Sequence, residues 1–194
     1  WYKDNYSTTA PSAISALTDY KNTGKKTVWY NSKYYRANLF WEGNTFRFRD
    51  IHLFDERFAS DYIDKPGTTS TCLYTTLPFV DKKLAGLRLF CARQDGTMIE
   101  ATGREPEIAH KEKRLYVRWP LEIPGATFVM TFDEDKVRMQ IESAGNTRME
   151  WYMELSVVPG TALPFTRIDD KRIDAREKTF DYKITCKKGT FADC

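Results

Sequence analysis

A two-residue period of side-chain character, sustained in one segment after another, restricts this chain more than any other feature. Phe128, Met130 and Phe132 lead into the acidic turn Asp133-Glu134-Asp135, and Val137, Met139 and Ile141 lead out of it, with Arg138, Gln140 and Glu142 opposite. Successive side chains of a strand point to opposite faces, so this pattern predicts a hairpin with one buried and one solvated side. Met149, Trp151, Met153, Leu155 and Val157 repeat it against Glu150, Tyr152, Glu154 and Ser156. Leu115 to Trp119 alternates and stops at Pro120, where a central strand would lose a ladder donor. Phe180, Tyr182, Ile184 and Cys186 give a last strand.

Between these lie strands at Cys72–Val80, Gly86–Ala92 and Met98–Ala101, a loop from Asp55 to Thr71, and a polar stretch Gly103–Lys113. Helical spacing occurs only at Ile14, Leu17 and Tyr20 behind Pro11-Ser12, which predicts a short helix over 11–20 in an irregular segment 1–24. Many short strands without helical crossovers point to an all-β, antiparallel β-sandwich, jelly-roll-like, of about ten strands in a single domain over 1–194; a calycin-like β-barrel is the alternative. With 194 residues and 41% hydrophobic composition the chain can build a core without covalent staples.

The segment Lys33 to Leu53 reads as two strands closed at Glu42-Gly43-Asn44, a hairpin turn signal. It is dense in rings. Trp29, Tyr30, Tyr34, Tyr35 and Trp41, with Asn31, Asn38, Glu42 and Asn44 nearby, supply planar surfaces that stack on sugar rings and polar groups that bond hydroxyls. Tyr35, Leu39 and Trp41 share one face while Tyr34, Arg36, Asn38 and Phe40 share the other, so one face at least buries its rings.

The same hairpin holds a conflict. Continued by twos, the Phe46/Phe48 face reaches Asp50 and His52, and a buried carboxylate has to be paired. Either a β-bulge near Arg49-Asp50 turns Ile51 and Leu53 inward and His52 outward with Arg47, or the inner face opens into a cleft. In the second case Asp50 orients His52 as general acid or base, Asp55 or Glu56 completes a catalytic set of Asp50, His52 and Glu56, and Arg47 or Arg49 stabilises negative charge.

Several function classes fall away. Lys+Arg 30 against Asp+Glu 27 leaves a formal charge of +3, without a basic track for nucleic acid. No apolar run has the length of a membrane span. GxGxxG, the P-loop, GxSxG, HExxH and CxxC are absent, and two histidines, His52 and His110, cannot make a three-histidine zinc site. No metal or cofactor is implied, and the opening for calcium is Asp169-Asp170 with Asp174, since Asp133-Glu134-Asp135 lacks the spacing of a calcium loop and reads as a solvated turn. Cys72 with Cys91 and Cys186 with Cys194 is the attractive disulfide pairing; the alternative makes Cys91 and Cys186 small buried hydrophobes.

The chain opens at Trp1 without a basic or apolar leader, so the expectation is either a secreted or periplasmic protein whose signal peptide has been removed or a piece of a longer chain with flanking domains; Asn5-Tyr6-Ser7 fits the glycosylation pattern, which matters for a secreted eukaryotic protein. The expected function is a glycan-binding or accessory domain of a polysaccharide-processing system, with carbohydrate as partner and Trp29, Tyr30, Tyr34, Tyr35, Trp41, Arg47 and Arg49 as its ligand-binding set. The alternatives are a glycoside hydrolase or polysaccharide lyase around Asp50/His52, and a barrel that carries an apolar ligand among Met130, Met139, Met149 and Met153.

Overall fold

The computed structural model describes residues 11–58, 76–81, 84–93, 95–144 and 149–192. They form an all-β sandwich. The large sheet runs β1 (Ser12–Ala16), β2 (Lys25–Asn31), β3 (Tyr35–Glu42), β4 (Thr45–Leu53), β6 (Leu84–Ala92) and β12 (Trp151–Val157), with β5 (Leu77–Val80) paired to β4 and β7 (Met98–Glu100) to β6. A second sheet runs β11 (Lys136–Ser143), β10 (Ala126–Asp133), β9 (Arg114–Pro120) and β8 (Glu107–Lys111), and a third β13 (Phe165–Asp169), β14 (Arg172–Glu177) and β15 (Phe180–Thr185). Every pairing is antiparallel and no sheet closes into a barrel.

The core lies between the large and second sheets. Val28, Tyr30, Tyr35, Ala37, Leu39, Trp41, Phe46 and Phe48 face Leu115, Val117, Trp119, Phe128, Met130 and Phe132, all buried. Rings meet across the layer: Phe46 lies 5.4 Å from Trp119 and 6.0 Å from Phe128, Tyr30 5.4 Å from Phe132, and Trp151 5.8 Å from Phe128. Aromatic pairs at such separations add stabilisation beyond their buried area. The methionines fill this space: Met130 is fully buried, and Met139, Met149 and Met153 pack on the core's margin. No sheet closes, so the calycin-like barrel given as the alternative fold is not the one adopted.

Four expectations are corrected. Residues 12–16 form an edge strand rather than a helical turn, with Ile14 paired to Trp29. The described residues hold fifteen strands rather than about ten, because β8, β13 and β14 arise in stretches read as polar or loop. Asp133 is buried rather than solvated, its carboxylate ion-paired to Arg114 (2.5 Å) and Arg138 (2.9 Å). Asp174 is engaged by Arg172 and Asp169 by Arg167 and the Lys171 amide, so these carboxylates do not converge as a calcium site; among the described residues no three His, Cys, Asp or Glu side chains do.

Cys91 is free and fully buried, with burial pushing its thiol up to about 11, and Cys186 is free with its thiol donating to the Lys188 carbonyl. Cys72, Cys194 and Asn5 lie outside the described residues. Among the described residues, no helix is long and apolar enough to cross a membrane.

Candidate functional site

The aromatic hairpin forms as the sequence dictates. Glu42 pairs with Thr45 across Gly43-Asn44, and Gly43 takes φ +60°, the left-handed value that a two-residue hairpin loop beginning with glycine requires. The rings then divide between faces. Tyr30, Tyr35 and Trp41 are core residues, Trp41 only 1% exposed, so these three expected ligand contacts are withdrawn: a ring packed against the second sheet has no face left for a sugar. Tyr35 also ties the sheets together, its hydroxyl reaching the Asp133 and Lys136 carbonyls at 2.8 and 3.0 Å. Trp29 is half-buried on the outer face beside Ile14, and Tyr34, 48% exposed, sits in the β2–β3 turn under Lys33.

Asp50 and His52 follow the bulge. Asn38 pairs with Asp50 and Leu39 with Phe48, so Arg49 is the extra residue of β4. Beyond it Ile51 packs against the core, while Arg49, Asp50 and His52 stand on the outer side. Asp50 accepts two hydrogen bonds from Arg36, from Nε at 2.9 Å and Nη2 at 3.1 Å, in a fork-to-fork pair. His52 is nonetheless buried, at 7% exposure, beside β5. Its Nδ1 faces the Thr76 hydroxyl; its Nε2 stands 3.4 Å from Asp50 Oδ2, in reach of the charge but not aligned for a hydrogen bond.

Burial pulls the His52 pKa below its ordinary value, opposed by Asp50 and assisted by Arg36. Structure thus joins Asp50 to His52 but does not add Glu56, whose exposed carboxylate pairs with Lys33 at 3.0 Å. Of the two arrangements expected there the bulge is the one seen, and the side chains of Arg36, Asp50, His52 and Thr76 pack together beside it. A cleft of about 510 Å³ lies between the end of β4 and the third sheet, where Arg57 is paired with Asp55, Arg172 with Asp174 and Arg176 with Asp181. Its Asp55 carboxyl is held down at about 2 by hydrogen bonds from Arg57.

The outer face of the large sheet is the richer surface. One transverse row reads Thr27, Phe40, Arg47, Arg88 and Glu154 across β2, β3, β4, β6 and β12. Arg47 and Arg49 both stand over Phe40, with Cζ 5.2 and 4.8 Å from the ring centre. One step along, Phe90 and Tyr152 stack at 5.2 Å with planes 8° apart, Tyr152 being 42% exposed. Sequence reading named Arg47, Arg49 and Trp29 but missed Phe40, Arg88, Phe90 and Tyr152; the available signal was their alternation with Leu39, Leu89 and Met153.

Comparison with known protein families, curated proteins and solved structures finds no match. The functional reading rests on this surface chemistry alone.

Proposed function

We propose that this protein is a glycan-binding β-sandwich module whose ligand lies on the outer face of the large sheet. The observation that carries the proposal is the sheet face itself: Trp29, the Phe40–Arg47–Arg49 stack and the Phe90–Tyr152 pair all project away from the core. Flat apolar rings spaced along a rigid sheet suit the faces of successive sugars, while the Arg47 and Arg49 guanidinium groups suit hydroxyls. A hydrolase would need two carboxyls flanking one bond, and the Asp50 carboxylate is occupied by Arg36. Binding, rather than turnover, is therefore the reading favoured here.

Isothermal titration against a panel of oligosaccharides tests it. Wild-type protein binds at least one glycan; the Trp29→Ala/Tyr152→Ala variant loses binding while its thermal midpoint stays put, and Tyr20→Ala, at an exposed ring in the β1–β2 connection, binds normally. Absence of glycan binding by the wild type, or undiminished binding by the double variant, overturns the proposal.

A further inference from the structure

The charges on the outer face show a feature that sheet stability alone does not favour. Arg47 and Arg88 are directly opposite on adjacent strands. Like charges in that position destabilise a pair of strands, and a carboxylate at either site would relieve it. Arg88 is partly compensated by Glu100 at 3.4 Å. Arg47 and Arg49 are not: among the described residues neither has a carboxylate within ion-pair distance, whereas Arg36, Arg114, Arg138 and Arg176 each hold one.

Their shared partner is the Phe40 ring. A guanidinium held by an aromatic face keeps its N–H groups available for an acceptor, and its planar fork matches the two oxygens of a carboxylate or sulfate. Packing on Phe40 also restrains two otherwise flexible side chains, so less rotamer freedom is lost on binding. The bulge reinforces the arrangement by placing Arg49 and Asp50 together on the outer side and committing Asp50 to Arg36.

Resting on the glycan reading above, we infer that the ligand is an acidic glycan, whose carboxylate or sulfate ester docks on Arg47 and Arg49, which cover the buried Phe40 ring, while its sugar rings lie along the neighbouring Phe90–Tyr152 pair. The anion supplies Arg47 with the counter-charge that the row places only on the far side of Arg88, at Glu154, and relieves the Arg47–Arg88 repulsion. Asp50, Glu100 and Glu154 at the margins limit how far negative charge extends along the chain, which favours spaced acidic sugars over a densely charged polymer.

The test compares polygalacturonate oligosaccharides, chondroitin sulfate and neutral dextran oligosaccharides by titration calorimetry at low and high salt. The expected result is at least ~10-fold tighter binding of one acidic series than of dextran, weakening with salt. Preference for polygalacturonate assigns the anion as a carboxylate; preference for chondroitin sulfate that is lost with unsulfated chondroitin, which keeps the carboxylates, assigns it as a sulfate. Arg47→Gln/Arg49→Gln reduces the acidic ligand to the neutral level at an unchanged thermal midpoint, and the double Lys variant, which keeps charge but loses the fork, recovers binding only in part. Equal, salt-independent binding of dextran and acidic chains, insensitive to both variants, overturns this inference and leaves the glycan reading standing. Tighter binding of single-stranded DNA than of any acidic glycan overturns it by showing a generic polyanion surface. Failure to bind any glycan removes both.

Discussion

Gly103 occupies the one place where the second sheet's tryptophan closes against the chain, and substituting alanine there should be costly. A Cβ at this position would sit 2.5 Å from Trp119 Cε2 and 2.6 Å from the Pro120 carbonyl oxygen. Ordinary carbon contacts lie near 3.5–4.0 Å, so atoms must separate by about 1 Å. The ring is poorly placed to yield: it is fully buried, packed on Phe46, and its Nε1 donates to the Arg104 carbonyl at 3.0 Å. The backbone is held as well, since the Gly103 amide donates to Asn44 at 2.9 Å and the residue bridges to Leu121.

Overpacking of this kind costs roughly 1–3 kcal/mol, here at the upper end, against about 0.4–1 kcal/mol gained from stiffening the unfolded chain. A net loss of about 2 kcal/mol lowers the thermal midpoint of a domain this size by about 4–8 °C. Thermal unfolding followed by near-ultraviolet circular dichroism reads both the midpoint and the tryptophan environment. Trp119→Phe shrinks the obstructing ring, so Gly103→Ala should cost less on that background. A Gly103→Ala midpoint within about 1 °C of wild type, or an equal loss on both backgrounds, would refute the reasoning.

Three further outcomes follow from individual contacts. Because burial depresses the His52 pKa, the unfolded chain takes up that proton first; stability is fully present above the ordinary value of 6.5 and declines as pH falls from there through the folded pKa. Urea midpoints across this range should show the decline in wild type and less of it in His52→Gln, and parallel curves would sink the assignment. Arg36→Met removes a positive charge that lowers the His52 pKa, so the imidazole should titrate at higher pH in proton NMR; an unchanged or lower midpoint contradicts the Arg36–Asp50–His52 coupling. Tyr35→Phe deletes the hydroxyl bound to two carbonyls of the β10–β11 turn and should cost about 1–2 kcal/mol in urea unfolding, whereas a neutral change would show that water replaces it.

What could be read from sequence depended on contrast between the two sides of a strand. The β10–β11 hairpin was legible because Phe128, Met130 and Phe132 face Ile141, Met139 and Val137 across the ladder, one buried row against another. Strand β8 was not: Glu107–Lys111 leaves Ile108 as its sole half-buried position, so no alternation marks it. In the third sheet β14 buries only Ile173 and Ala175 among charged neighbours, too little apolar surface to announce a strand. Residues 12–16 misled for the opposite reason, since Ile14 and Leu17 suggested a helical face while Ile14 is exposed on the sheet's outer side. In the aromatic hairpin the division of rings between faces was readable, but not which face met the second sheet, because both carry rings.

The bulge at Arg49 links that folding problem to the surface proposed for binding. Without the extra residue, the inward phase of Phe46 and Phe48 would carry Asp50 and His52 into a core of rings, where an unpaired carboxylate has no compensation. Adding one residue to β4 returns Ile51 to the core and brings Asp50 out beside Arg36. Arg49, outward like Arg47 by regular alternation, joins it over Phe40, and among the described residues neither has a carboxylate within ion-pair distance. A local irregularity that lets the hydrophobic register continue thereby sets the Arg36–Asp50 pair on the outer face beside the half-buried Arg47 and Arg49. For this reason the residues that appeared as a conflict in the sequence border the surface where a ligand is proposed, and the bulge is what keeps Asp50 committed to Arg36 there.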